Sequence, residues 1–224
     1  MYGDVGNIKI LKRRAEKRDI QVHVHNHALG DRFDENEYDI IMLGGGQDFE
    51  MHVVLDDLKD RKREKLQAYI ENEGVFLAIG SGYQMLGDTF VTADEKEVSG
   101  LSLLPIITKP SEDRFVGNII TEVNGIRCVG FENHTGKTYI ENILPLGNVV
   151  FGFGNNGEDG GEGLMYKNTF CTFMHGPFLS KNPEIADFIL LKALRKKYNI
   201  EELTELDDTY EICAKEHITR KFFS

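Results

Sequence analysis

Twice in the first third of the chain, a short apolar run rich in β-formers ends abruptly in glycine. Tyr38-Asp-Ile-Ile-Met-Leu43 runs into Gly44-Gly45-Gly46, and Val75-Phe-Leu-Ala-Ile79 runs into Gly80-Ser81-Gly82. Runs this short and this uniformly apolar predict strands buried on both faces, the condition of a parallel sheet covered by helices. The stretch between them, from about Asp57 to Glu73, is charged and helix-forming, which supplies the crossover that a parallel pair needs. Ahead of them, residues 5–18 place Val5, Ile8, Leu11 and Ala15 on one face with Lys and Arg opposite, which predicts a helix with Asp4 as its N-cap. Ile20-Gln-Val-His-Val24 alternates like a half-buried strand. The expected architecture is α/β, a doubly wound and mostly parallel sheet.

Residues 89–170 have another texture. Turn signals (Asp94-Glu-Lys, Asn124-Gly125, Asn155-Asn156-Gly157) separate short β runs such as Asn118-Ile-Ile-Thr-Glu-Val123 and Asn148-Val-Val-Phe-Gly152, which predicts hairpins and an antiparallel extension of the sheet. Asn168-Thr-Phe-Cys-Thr-Phe-Met174 is a last strand, ending at His175-Gly176-Pro177, with a helix over about 183–197. No linker or internal repeat divides the chain, so residues 1–198 are expected to form one domain. The tail, 199–224, is read as either an amphipathic helix or a frayed end.

Composition narrows the function classes. With 26 Lys and Arg against 37 Asp and Glu, the net charge is −11. A surface that acidic repels phosphate backbones and anionic lipid, so nucleic-acid binding is not expected. The longest apolar run is far short of the roughly 20 residues of a membrane span, and no secretory signal core stands at the N-terminus. Three widely spaced cysteines, Cys128, Cys171 and Cys213, fit a reducing, cytoplasmic compartment better than a disulfide framework or a zinc site.

In open α/β sheets ligands gather beyond the carboxyl ends of the strands. Three such ends carry unusual residues here. The Gly44–Gly46 loop offers backbone N–H groups to an oxyanion. Gly80-Ser81-Gly82 is a tight strand-to-helix elbow of the kind that exposes a nucleophile. His175 closes a buried strand. Taken singly, each has a plain structural reading as a turn, an elbow or a solvated histidine; together they suggest one site. The pattern is not a dinucleotide fingerprint, because the third glycine of GxGxxG is absent. Nor is Gly136-Lys137-Thr138 a Walker loop, since the motif's first glycine would fall at Phe131.

The ordered set Tyr2-Gly-Asp-Val-Gly-Asn-Ile8, Gly44-Gly-Gly-Gln-Asp-Phe-Glu50, Leu77-Ala-Ile-Gly-Ser-Gly-Tyr-Gln-Met-Leu-Gly87, Gly130-Phe-Glu-Asn-His134, Gly152-Phe-Gly-Asn-Asn156, Gly161-Glu-Gly-Leu-Met-Tyr-Lys-Asn168 and His175-Gly-Pro177 resembles the GatD-type glutaminase subunits of lipid II isoglutaminyl synthase. These belong to the cobyric-acid-synthase-like class I glutamine amidotransferases. The resemblance covers the chain up to about residue 198. It implies glutamine hydrolysis by an elbow cysteine and a C-terminal histidine through a thioester. The ammonia passes to a Mur-ligase-like partner, MurT, which uses ATP to amidate the D-glutamate of the lipid II stem peptide. ATP and its metal would then sit on the partner, with no cofactor or metal on this chain. Carried over, His175 is the base and Arg114 the glutamine-binding arginine, its guanidinium fork suited to an α-carboxylate. Gln84 lines the elbow. The N–H of Ser81, with one from Gly45 or Gly46, forms the oxyanion hole.

Two departures stand out. The family elbow reads Cys-Gly-Gly-Tyr-Gln; here the nucleophile position is Gly80, and thioester chemistry needs a thiolate. Family members also carry a strand ahead of the Tyr-Gly-Asp segment, so the sheet is expected to lack its first strand and leave neighbours unpaired. The expectation is an inactive copy, or alternatively a non-catalytic glutamine-binding or scaffold module of the same complex. Ser81 sits one position late to replace the thiol. Cys171, four residues before His175 on one strand, would be about 13 Å from it, and Cys128 reads as core. Glu132 has no sequence signal placing it beside His175. His23, His25 and His27 are read as a solvated strand face, and Lys59–Lys65 as a solvated helix face.

Overall fold

The computed structural model describes residues 3–46, 48–91 and 96–222. Tyr2, Gln47 and the turn residues Asp94 and Glu95 lie outside the described residues. The chain runs α1 (Val5–Glu16), β1 (Ile40–Leu43), α2 (Asp48–Asp57), a π-helical turn (Leu58–Lys62), α3 (Arg63–Glu71), β2 (Val75–Ile79) and α4 (Ser81–Met85). It continues through β3 (Thr89–Val91), β4 (Glu97–Ser99), β5 (Ile106–Val123), β6 (Ile126–Ile140), β7 (Gly147–Phe151), β8 (Gly161–Glu162), β9 (Leu164–Tyr166) and β10 (Thr169–Thr172). Two helices close it, α5 (Pro183–Tyr198) and α6 (Thr209–Phe222).

The first sheet has the order β1-β2-β10-β9, with β1, β2 and β10 parallel and β9 antiparallel at one margin. All five residues of β2 are buried. Phe76 and Ala78 pack into one core layer with Leu55, Leu66 and Ile70, while Val75, Leu77 and Ile79 pack into the other with Leu11, Ile185 and Ile189. Alternate side chains thus enter opposite layers, each roofed by helices, which is why the run has no polar face.

The antiparallel part is a second sheet rather than a small extension. It has six strands, ordered β4-β3-β5-β7-β8, with β6 paired to β5. β5 and β6 form a hairpin turning at Asn124-Gly125, both at positive φ (50° and 78°), as a two-residue hairpin turn requires. The expected short run 118–123 is therefore the distal end of an 18-residue strand. A register shift between Lys109 and Arg114 interrupts the ladder.

Several local expectations are corrected. Val5 is 61% exposed, because Asp4, Asn7, Leu11 and Ala15 take the buried stripe of α1. Ile20–Val24 forms no strand, and none of the amides of 21–27 donates to a partner among the described residues. β1 is the outermost strand of its sheet. It and residues 20–28 line a cavity of about 1330 Å³, with Leu11, Val54 and Leu194 also in its walls. His23, His25 and His27 are exposed on that segment, His27 bonding the Tyr38 hydroxyl at 2.8 Å. The helix expected from Asp57 begins at Asp48 and is broken by the π turn, which directs Lys62 inward onto Asp57. Lys59–Lys65 is therefore not a uniformly solvated face. α6 lies against the Phe178–Lys181 turn and β6, with Lys215 bonded to Glu184 at 2.5 Å. No helix among the described residues is long and apolar enough to cross a membrane.

Candidate functional site

The three strand ends converge. β2 stops at Gly80, whose φ of 60° and ψ of −125° turn the chain sharply into α4. The Gly80 N–H donates to the Thr172 carbonyl at 2.9 Å, fastening the elbow to the end of β10. Gly82 follows because a Cβ there would stand 2.5 Å from the Leu43 carbonyl oxygen; only a glycine lets α4 pack on the end of β1. A Cβ placed on Gly80 would lie 2.9 Å from Cε1 and 3.2 Å from Nε2 of His175. The side-chain position that the elbow presents therefore faces an imidazole.

His175 is 4% exposed and held by its backbone, its N–H donating to the Phe131 carbonyl at 2.8 Å and its carbonyl accepting the Phe131 N–H at 3.2 Å. Its Nδ1 stands 3.0 and 3.2 Å from the two carboxylate oxygens of Asp4. Asp4 is 2% exposed. It stands at the N-cap position of α1, as expected, but its side chain makes no cap bond there: the carboxylate is spent on His175. Nδ1–H donating to a carboxylate leaves Nε2 as the basic nitrogen, directed at the Gly80 corner. Asn7 steadies this arrangement, its Oδ1 accepting the Leu179 N–H at 2.9 Å and its Nδ2 donating to the Asp4 carbonyl at 3.1 Å.

Ser81 turns the other way. Its Oγ accepts the Gly46 N–H at 3.1 Å and lies 3.4 Å from the Gly46 carbonyl and 3.2 Å from Met51 Sδ. These partners lie on the loop and on α2, and none of them is His175. The loop is tight against the elbow: a Cβ on Gly45 would be 3.4 Å from the Ser81 nitrogen. Gln84 is buried beside it, donating from Nε2 to the Thr135 carbonyl at 3.3 Å. Arg114 pairs across the ladder with that same Thr135. Its side chain is exposed, and Nε and Nη2 donate to Asn133 Oδ1 at 3.3 and 3.1 Å.

Other titratable groups nearby are structural. Glu132 accepts the N–H groups of Phe153 and Gly154 at 2.9 and 3.0 Å, and burial pushes its carboxyl up to about 7. Glu162, fully buried, is pushed up to about 8 by burial while accepting the Phe173 N–H and the Thr172 hydroxyl. His134 stacks on Phe173 at 3.8 Å, and burial pushes it down to about 3, so it stays neutral beside His175. Burial holds the Cys171 thiol well above its ordinary value and raises that of Cys128 to about 12, so neither is a nucleophile. Among the described residues no group of three or more His, Cys, Asp or Glu could hold a metal ion.

The arrangement is a carboxylate, an imidazole and a glycine elbow in line, flanked by a glycine loop. Asp4 is the member that sequence reasoning missed. It is 171 residues from His175, and an aspartate ahead of an amphipathic run has the ordinary look of a cap.

The family description of the CobB/CobQ-like glutamine amidotransferase domain matches residues 1–183. The GatD subunit of lipid II isoglutaminyl synthase (glutamine-hydrolyzing) of Streptococcus pneumoniae is 46% identical over 201 residues, 88% of this chain and 77% of that protein. The GatD subunit of Staphylococcus aureus is 42% identical over 219 residues, 96% of this chain and 88% of that protein. A probable cobyric acid synthase of Methanothermobacter thermautotrophicus is 32% identical over 157 residues, 63% of this chain but 31% of that protein. Among solved structures, a glutamine amidotransferase of Thermotoga maritima is similar in fold, with a TM-score of 0.51 at 13% identity, covering 96% of this chain and 92% of that one.

Proposed function

The chain belongs to the CobB/CobQ-like glutamine amidotransferase family, and we propose that it is the GatD-type subunit of a complex that amidates lipid II, in a copy that keeps the glutamine pocket and lacks the thiol. One observation carries the reading. The Cβ position of Gly80 lies 3.2 Å from Nε2 of His175, whose other nitrogen is bound to Asp4. That is the geometry of a nucleophile, its base and the group that orients the base.

In a working copy, Nε2 of His175 takes the thiol proton of an elbow cysteine. The thiolate adds to the carboxamide carbon of L-glutamine, and the carbonyl oxygen becomes an oxyanion facing the Ser81 N–H and the Gly45–Gly46 loop. As the C–N bond breaks, the imidazolium returns the proton to nitrogen, ammonia leaves and a thioester remains. Water, deprotonated by the same imidazole, hydrolyses the thioester to glutamate. Arg114 is suited to hold the substrate α-carboxylate, and Gln84 borders the same stretch of β6. The ammonia serves a Mur-ligase-like partner of the MurT kind, which binds ATP and its metal and amidates the D-glutamate of lipid II in the cytoplasm, a step of peptidoglycan synthesis. With Gly80 in place, the first bond has no nucleophile.

Gly80 equally favours a second reading, a glutamine-binding or scaffold module of the same complex. Ammonia release from glutamine by the chain with its partner, beside a Gly80→Cys variant, separates the two. The expected result is no release from the chain and release from the variant. Release from the unsubstituted chain at the rate of a cysteine-bearing relative would refute the missing-thiol reading. A variant that binds glutamine and partner yet stays silent supports the second. The new side chain fits at modest cost: φ at +60° is strained by about 1–3 kcal/mol, and the His175 ring edge must yield by tenths of an ångström.

A further inference from the structure

Two backbone donors are needed where the amide oxygen becomes an oxyanion, one from the elbow and one from the loop opposite. On the loop, the Gly46 N–H is the amide that points at the elbow, and it is already engaged. The Gly46 N–H points at Ser81 Oγ, 3.1 Å away, and the hydroxyl is placed to give its own proton to the Gly46 carbonyl at 3.4 Å or to Met51 Sδ at 3.2 Å. The loop residue is thus tied by its N–H to one side chain, with its carbonyl within reach of the same hydroxyl. The loop lies close to it: a Cβ on Gly45 would stand 3.1 Å from Ser81 Oγ, and one on Gly46 would stand 3.1 Å from a Glu50 carboxylate oxygen and 3.3 Å from Met51 Sδ.

We propose that the Ser81 hydroxyl is a latch on the oxyanion hole, which withholds the Gly46 N–H from the substrate. This rests on the glutaminase reading of the same corner. It makes the site defective twice over, at Gly80 for want of a nucleophile and at Ser81 for want of a free second donor. Restoring the thiol alone leaves the tetrahedral intermediate with the Ser81 N–H and a loop donor that must first break its bond to Oγ. Ground-state glutamine, whose carbonyl carries little charge, loses little by this. The deficit falls on the transition state, so it shows in kcat rather than in KM.

The test has a structural arm and a kinetic arm. In the chain as it stands, Ser81→Ala is expected to shift the Gly46 amide resonance and raise its hydrogen-exchange rate about tenfold or more. Ser81→Thr, which keeps the hydroxyl, leaves both near their original values. An unchanged Gly46 amide in Ser81→Ala overturns the latch whatever the enzyme does. In the complex with the Mur-ligase-like partner, the Gly80→Cys background is compared with Gly80→Cys/Ser81→Ala and Gly80→Cys/Ser81→Thr. The alanine double variant is expected to exceed the single variant roughly a hundredfold in kcat for ammonia release, with KM for glutamine within about twofold, and the threonine variant to match the single one. Equal kcat with alanine and serine overturns the proposal. So does a fall with alanine, since the hydroxyl would then be an oxyanion donor itself. A glutamine-mimicking chloroketone reads the underlying assignment separately: failure to alkylate the introduced thiol in every variant removes the glutaminase reading, while the Gly46 amide still decides the latch.

Discussion

At the scale of single residues, the site turns on which nitrogen of His175 carries the proton. Asp4 on Nδ1 fixes that choice at 3.0 Å, in a spot only 2% exposed, so a neutral isostere there reverses the tautomer without a change of shape. In the Gly80→Cys background, Asp4→Asn is expected to lower kcat for ammonia release at least a hundredfold, with little change in thermal midpoint. Ring ¹⁵N shifts of His175 would report the tautomer directly. A kcat within twofold of the parent would exclude Asp4 from the machinery. Gly80, Ser81 and His175 were legible in the sequence because each interrupts a strand with an unusual residue. Asp4 was not, because local sequence carries no trace of a partner across the fold and a cap was the simpler account. The direction of the Ser81 hydroxyl was legible only as not facing the base; its target, Gly46, needed coordinates.

At the scale of elements, β10 and the turn after β7 are held by two buried carboxyls. Glu162 binds the Phe173 N–H at 2.7 Å and the Thr172 hydroxyl, whose oxygen accepts the Met174 N–H next to His175. Glu132 binds the turn at Phe153 and Gly154. Burial raises their carboxyls to about 8 and about 7, against ordinary values of 4.5. The folded state therefore holds protons that the unfolded chain has released between pH 4.5 and 8. Stability from this source is present at pH 4.5 and is lost as pH rises through 7 and then 8. Glu162→Gln is expected to flatten the fall of urea midpoint between pH 5.5 and 8.5; a midpoint that falls as steeply as in the parent would argue against a protonated Glu162. The helix–strand rhythm around β1 and β2 was legible from apolar runs and glycine stops. The alternation of Ile20–Val24 misled, because period two describes any extended segment, and a ladder needs a neighbour that this segment lacks among the described residues. Its amides, 21–27, are accordingly expected to exchange within seconds to minutes at neutral pH, while those of β2 wait on global unfolding. Protection of 21–27 comparable to β2 would mean that a pairing partner exists in solution.

At the scale of the whole molecule, the question is what ties the C-terminal helix to a site built at the other end of the chain. Arg14, on the buried stripe of α1, forks to Asp187 of α5 at 2.6 and 2.7 Å and to Asp208, just ahead of α6, at 2.5 and 2.8 Å. Arg18 adds a second fork to Asp187 and a bond to the Thr204 carbonyl at 2.7 Å. The Arg14 side chain is 7% exposed, so these pairs are poorly screened and the guanidinium has little water to fall back on. Asp4 stands just ahead of α1, and Asn7 lies in its first turn. The same short element thus anchors the tail at one end and orients the imidazole at the other. In Asp208→Asn, Arg14 keeps Asp187, so the cost is one charge-assisted pair, about 1–3 kcal/mol, or a fall of several degrees in thermal midpoint. The loss is local in the first instance. Residues 199–208 have no helix or strand of their own, and with their anchor weakened they are expected to be cut by a glutamate-specific protease, at Glu201, Glu202 or Glu205, several times faster, releasing α6, while the amides of β2 and β10 keep their exchange rates. Loss of protection in β2 at the same substitution would mean instead that the tail is integral to the core, and that α1 cannot hold the Asp4–His175 pair without it.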